Sequence, residues 1–180
     1  MSAANRSAFP AKLSCMNARI KQIDPAAVRD LIAQAAASPR RRKNLNLHAT
    51  LAEPVQRFVN AFEPGTYVRP HRHSDKWELF VLLQGAAAVL TFDDAGRVEE
   101  RVELNGAEGA RVVEIPQATW HTLVSLMPGT VLFEVKRGPY DPSVPADYAP
   151  WCPSEDDPEA RSFERRLRYA RRGARFTLAR

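Results

Sequence analysis

Gly65-Thr66-Tyr67-Val68-Arg69-Pro70-His71-Arg72-His73-Ser74-Asp75-Lys76-Trp77-Glu78-Leu79-Phe80-Val81-Leu82-Leu83-Gln84-Gly85 is the stretch that decides the fold. Neutral imidazole and carboxylate are metal ligands, and side chains two apart on a strand share a face. His71 and His73 can therefore hold one ion from one strand. Glu78 can reach it from the next strand, and His121 from a third. The chain has four histidines, and three of them join this pattern. Three imidazoles and one carboxylate leave one or two open positions on a five- or six-coordinate divalent ion, with room for water or substrate. Zn, Fe(II), Mn, Ni and Co all suit the set. The alternative is a metal that only stabilises the fold.

Outward from this stretch the texture is that of strands. Residues 55–62, 66–73, 77–84, 86–92, 98–104, 111–115, 120–125 and 130–136 are short, rich in Val, Leu and Phe, and divided by turn residues. Glu63-Pro64-Gly65-Thr66 and Met127-Pro128-Gly129-Thr130 place Pro then Gly at turn centres. This spacing predicts an all-β sandwich or jelly roll rather than a βαβ fold. Before it, Asp24-Pro25 starts a short helix that should stop at Ser38, ahead of Pro39. After it, residues 154–172 can form a charged helix with Ser154 as N-cap and a thin apolar stripe of Phe163, Leu167 and Ala170. The expected organisation is a disordered segment at 1–18, one domain over 19–153, and a basic extension over 154–180.

The formal charge of +5 suggests a nucleic-acid binder until its distribution is considered. Residues 161–180 carry eight arginines against Glu164 alone, so the body of the chain is slightly acidic. Aromatic residues interleave poorly with these arginines, and a solvated helix is the expectation rather than a nucleic-acid surface. No apolar run is long enough to span a bilayer and no secretory h-region is visible, so the expected place is the cytoplasm, without membrane contact. Cys15 and Cys152 read as reduced thiols.

Gly65 to Gly85 resembles the first sequence motif of the cupin superfamily. Gly109, Pro116, His121 and Ser125 resemble the second, with three departures: one extra residue in the first spacer, Ala118 for Gly, and Ser125 for Asn. They bear on turn geometry and not on ligation. Residues 40–48, 56–60, 63–73, 114–121 and 134–151 are similar to the WbuC-type cupins, over roughly residues 20–153. The resemblance implies a cupin double-stranded β-helix (a jelly-roll barrel), one divalent metal, a setting in O-antigen and other surface-polysaccharide biosynthesis, and a homodimer.

Strand alternation extends the candidate site. Arg69 shares a face with His71 and His73, and Glu134 and Lys136 alternate with Leu132. Buried charge needs a partner or a ligand. Arg69 and Lys136 beside a metal would favour an anionic or carbohydrate-derived substrate; the alternative is that Glu134 pairs with Lys136 or Arg69. His48 and Glu134 are the acid/base candidates, and Asn46 and Tyr140 further substrate contacts. Trp77 and Trp120 are expected to pack away from the metal. Arg40-Arg41-Arg42-Lys43 reads as a solvated run, with phosphate binding as the alternative. The reactions that fit are isomerisation or epimerisation of an activated sugar, oxygenation at a non-haem iron, or ligand binding without turnover.

Overall fold

The computed structural model describes residues 20–141 and 146–178, so the expectations for residues 1–18 and for Cys15 lie outside it. Helix α1 spans Pro25–Ala37, with Pro25 in its first turn. The Asp24 carboxylate accepts from the Ala27 amide at 2.8 Å, satisfying a donor that the helix cannot pair itself. The helix ends at Ser38, whose extended backbone precedes Pro39 as expected.

Ten strands follow: β1 Arg42–Asn46, β2 Val55–Phe62, β3 His71–Arg72, β4 Glu78–Gln84, β5 Ala86–Phe92, β6 Val98–Asn105, β7 Val112–Ile115, β8 Trp120–Ser125, β9 Thr130–Arg137 and β10 Asp147–Tyr148. They form two five-stranded sheets, ordered β1-β2-β9-β4-β7 and β10-β3-β8-β5-β6. Every named pairing is antiparallel. The sheets face each other over Phe62, Phe80, Leu82, Val89, Leu123 and Leu132. This is the jelly roll that the turn spacing predicts.

Three features differ from expectation. The strand expected over 66–73 shrinks to His71–Arg72, because Pro70 cannot donate to a ladder. Arg-Lys-Asn-Leu-Asn forms β1, an edge strand in full register with β2. Its charges suit an edge, where they oppose further pairing. The third is the basic C-terminal segment. Helix α2 spans Ala160–Tyr169, with Glu159 and not Ser154 at its N-cap. Its stripe is no solvated face: Leu167 is fully buried, and Phe163 packs against Phe176 with ring centroids 5.1 Å apart and the rings tilted by 56°. Phe176 in turn meets Phe92 of β5, and Leu90, Trp120 and Trp151 complete this cluster. Backbone bonds from Val98 to Ala174 and from Phe176 to Gly96 tie the segment to the β5–β6 hairpin. Gly96 lies at φ +77° against the Phe176 carbonyl and the Trp151 ring, where a Cβ would collide with both.

Helix α1 covers the other sheet, with Leu31 and Ala35 on Val59, Ala61 and Val131. Both helices thus lie outside the sheets, and the space between the sheets is left for the site. Trp120 is buried and donates from its ring nitrogen to Asp94, whereas Trp77 is partly exposed and corrects the expectation that it packs.

Candidate metal centre

Strands β3 and β8 set His71 directly opposite His121, which brings their rings to 4.4 Å between centroids. His73 follows β3 on the same face, 5.2 Å from His71 by ring centroids. Glu78 opens β4 and closes the group from the facing sheet. One ligand atom each from His71, His73 and Glu78 lies within 4.8 Å of the others. The His121 Nε2 joins them 3.1 Å from Glu78 Oε2. All four residues expected as ligands therefore meet at one place.

Hydrogen bonding fixes which imidazole atoms face the centre. His71 Nδ1 lies 2.9 Å from the Arg69 carbonyl, and His121 Nδ1 lies 2.8 Å from the Thr119 carbonyl. A carbonyl only accepts, so each Nδ1 carries the proton and each Nε2 of a neutral ring presents a lone pair. Burial, and next the neighbouring His121, push the His71 pKa down to about 3, which keeps that ring neutral. With the ring neutral, the His121 Nε2 lone pair faces Glu78 Oε2 at 3.1 Å; with the ring protonated, the same contact is a hydrogen bond to the carboxylate. A divalent ion held by both satisfies the neutral form. The His73 Nε2 makes the same point: it is buried 3.1 Å from Glu78 Oε1 without forming a hydrogen bond. Backbone carbonyls behind the imidazoles and lone pairs in front are the arrangement of a metal-ligating histidine set. The residues fit one divalent ion, and the donor set leaves its identity open.

A cavity of about 620 Å³ opens above this group. Its walls follow from register. Strands β2, β9 and β4 lie side by side, with Glu78 opposite Lys136 and Glu134 between Phe58 and Phe80. Lys136 donates to Glu78 Oε1 at 2.9 Å and sits 2.8 Å from Glu134 Oε1. Asn60 donates to the other Glu134 oxygen at 2.7 Å. Burial alone would raise the Glu78 pKa, but Lys136 and then His121 outweigh it and hold the carboxyl well below its usual range. Burial likewise opposes the charge on Lys136, while Glu134 and then Glu78 hold its pKa above the ordinary lysine value. Lys136 thus stays an ammonium, neutralised on both sides.

Asn46, Tyr140, Glu134 and Lys136 all line the cavity. Two other candidates do not. Arg69 borders a different cavity, with its guanidinium 4.6 Å over the Tyr148 ring and Nε 3.5 Å from Cys152 Sγ. The strand parity behind its assignment is lost at Pro70. His48 is buried behind the wall: its Nδ1 accepts from the Arg57 amide at 3.0 Å and its ring meets Phe58 edge-on. A group that transfers a proton must reach its substrate, and His48 does not line the cavity. Asn60 and Phe58 are wall residues that the sequence reading missed. The signal was present, since both share the inward parity of β2 with Phe62.

A family described as a domain of unknown function (DUF6016) matches residues 23–104, slightly under half of the chain. None of the curated proteins matches. Among solved structures, KdgF from Halomonas sp. is similar at 20% identity and a TM-score of 0.46, over 59% of this chain and 86% of that one. A mutant of Bacillus subtilis oxalate decarboxylase OxdC is similar at 16% identity and a TM-score of 0.46, over 59% of this chain. This chain spans about a quarter of that enzyme, 27% of its length. The jelly-roll architecture of this chain rests on the strand order and register described above.

Proposed function

We propose that this chain is a metal-dependent cupin enzyme acting on a small anionic or carbohydrate-derived molecule, with isomerisation or epimerisation of an activated sugar as the reaction to test first. The observation that carries it is the convergence of His71, His73, Glu78 and His121 at the floor of an open cavity. When bound there, a divalent ion would supply Lewis acidity toward a substrate oxygen. The protein residues do the remaining work. Glu134, braced by Lys136 and Asn60, is the proton acceptor in reach of the cavity. Lys136 has two of its three N–H donors committed to Glu78 and Glu134, which leaves one to orient a substrate oxygen. Asn46 and Tyr140 offer neutral hydrogen bonds at the wall. The WbuC-type resemblance, the setting in O-antigen biosynthesis, the cytoplasmic location and the homodimer belong to the same proposal. No helix among the described residues is long and apolar enough to cross a membrane.

Elemental analysis of the purified protein and its His73→Ala variant tests the centre. Bound divalent metal should fall to background in the variant, and full occupancy there would refute the site. Sugar phosphates and nucleotide sugars, followed by NMR for an isomerised product, test the reaction. Oxygen consumption under ferrous loading would instead support a non-haem iron oxygenase.

A further inference from the structure

A second cavity, of about 640 Å³, adjoins the first and shares Arg40 and Arg42 with it. Five arginines border it (Arg40, Arg41, Arg42, Arg69 and Arg161) against two acids, Glu155 and Asp156. A guanidinium keeps its charge under all ordinary conditions, so the wall has a standing excess of positive charge.

The way this charge is distributed matters more than its sum. Glu155 is spent on two partners: its carboxylate receives Arg40 through Nε at 2.9 Å and Nη2 at 2.8 Å, and Arg42 through Nη2 at 2.6 Å. Arg41, Arg69 and Arg161 have no carboxylate partner among the described residues. Arg41 is occupied at Nε alone, by the Pro64 carbonyl at 2.8 Å. Arg69 is half-buried with only a thiol and the face of Tyr148 for company. A half-buried cation so poorly served is costly unless an anion completes it. The N-terminal end of α2 adds to the same wall through Ala160 and Arg161. That end has no side-chain cap, and Glu159 at the N-cap with Asp157 before it already offsets its positive dipole, so the arginines carry the argument.

We propose that this cavity is a phosphoryl-binding site, separate from the metal centre, for a small phosphorylated molecule. A phosphate monoester presents three strong acceptor oxygens and nearly two negative charges. Three guanidinia without carboxylate partners match that better than they match a carboxylate, which has two oxygens and one charge. The proposal does not require the metal reading to hold, because none of the residues that bind the anion is a candidate ligand.

The test is calorimetric titration of inorganic phosphate at constant ionic strength, with acetate as the carboxylate control. Wild type, Arg69→Gln, Arg161→Glu and His73→Ala are compared, each checked for folding by circular dichroism. Saturable phosphate binding should weaken about tenfold in each arginine variant, equivalent to about 1.4 kcal/mol, and should be unchanged in His73→Ala. Arg161 is exposed, so Arg161→Glu carries the test if Arg69→Gln fails to fold. No saturable binding, equal binding of acetate, or binding lost in His73→Ala but kept in the arginine variants would each overturn the proposal. Loss of metal from His73→Ala with phosphate binding intact separates this site from the metal centre.

Discussion

Lys136→Met is the substitution that most directly tests the electrostatics of the barrel floor. Methionine keeps an apolar stem near the Phe58 ring, over which the Lys136 Nζ sits at 5.3 Å, and removes only the cation. The lost contacts are the 2.9 Å bond to Glu78 and the 2.8 Å pair with Glu134. A hydrogen bond to a charged group contributes about 1.5–3 kcal/mol, so two give an upper bound near 6. The side chain is 20% exposed, so water recovers part of this. Glu134 also keeps its bond from Asn60. The expected loss is therefore about 3 kcal/mol, the lower end for breaking a buried pair, or a fall of about 6–12 °C in Tm for a chain of this size. The assay is urea and thermal unfolding in chelator, because a bound cation would itself compensate Glu78. The pH dependence has a definite sign. The folded pKa of Glu78 is depressed, so its stabilisation is present above the ordinary carboxylate range and is lost as pH falls through the folded value. Lys136 is raised, so its contribution persists up to the ordinary lysine value and is lost only above it. The penalty of the variant should be full at neutral pH and shrink in acid. Adding Glu134→Gln should cost less in the Lys136→Met background than in wild type. A variant within about 0.5 kcal/mol of wild type at neutral pH, or a penalty that does not diminish in acid, would refute the reasoning.

Two further expectations concern stability. Ala118 sits at φ +60°, in the left-handed region, just before Trp120 and His121. Ala118→Gly should therefore stabilise the protein by up to about 1 kcal/mol, the left-handed penalty less the extra entropy that glycine loses on folding; destabilisation in urea would show that the backbone there is unstrained. Leu167→Ala should cost about 2–5 kcal/mol as a core truncation, whereas Arg165→Ala on the exposed face of α2 should stay within about 0.5 kcal/mol. Equal, small effects from both would mean that α2 is not part of the core.

Ala118 also shows what was legible before the structure. Its place in the second motif, where cupins carry Gly, was visible as a departure, and the positive φ supplies the physical content of that departure. Strands β2, β5 and β8 lie at the residues that the spacing predicts, because short segments rich in apolar residues stand between turn signals. Strand β1 has a single leucine among charged and amide side chains, so no period exists to detect. The fate of α2 was obscured for a different reason. Its apolar stripe was visible, but eight arginines outweighed it in any composition-based reading. Arginine stems can lie along apolar surface, as Arg166 does over Phe163 and Phe176. A high charge count is therefore compatible with a packed helix.

The candidate metal ligands and their electrostatic partners differ in the same way. His71, His73, Glu78 and His121 can be found from local parity and one strand pairing, because ligation demands particular residue types at short spacings. Which cation serves which acid depends on register across strands far apart in the chain. Parity alone placed Arg69 and Lys136 equally beside the metal. Lys136 reaches Glu78 because β9 and β4 are aligned with those two residues opposite each other. Arg69 does not, because Pro70 ends the alternation and its guanidinium turns to Tyr148 and Cys152. The consequence is a division of charge between two cavities. At the metal floor Lys136 is neutralised by two carboxylates, so an anionic substrate gains little from it beyond one hydrogen bond. The cations left without carboxylates stand around the second cavity. If the substrate is a phosphorylated sugar, its phosphate is better served there than at the metal, and Arg40 and Arg42, which border both cavities, lie between the two ends of such a molecule.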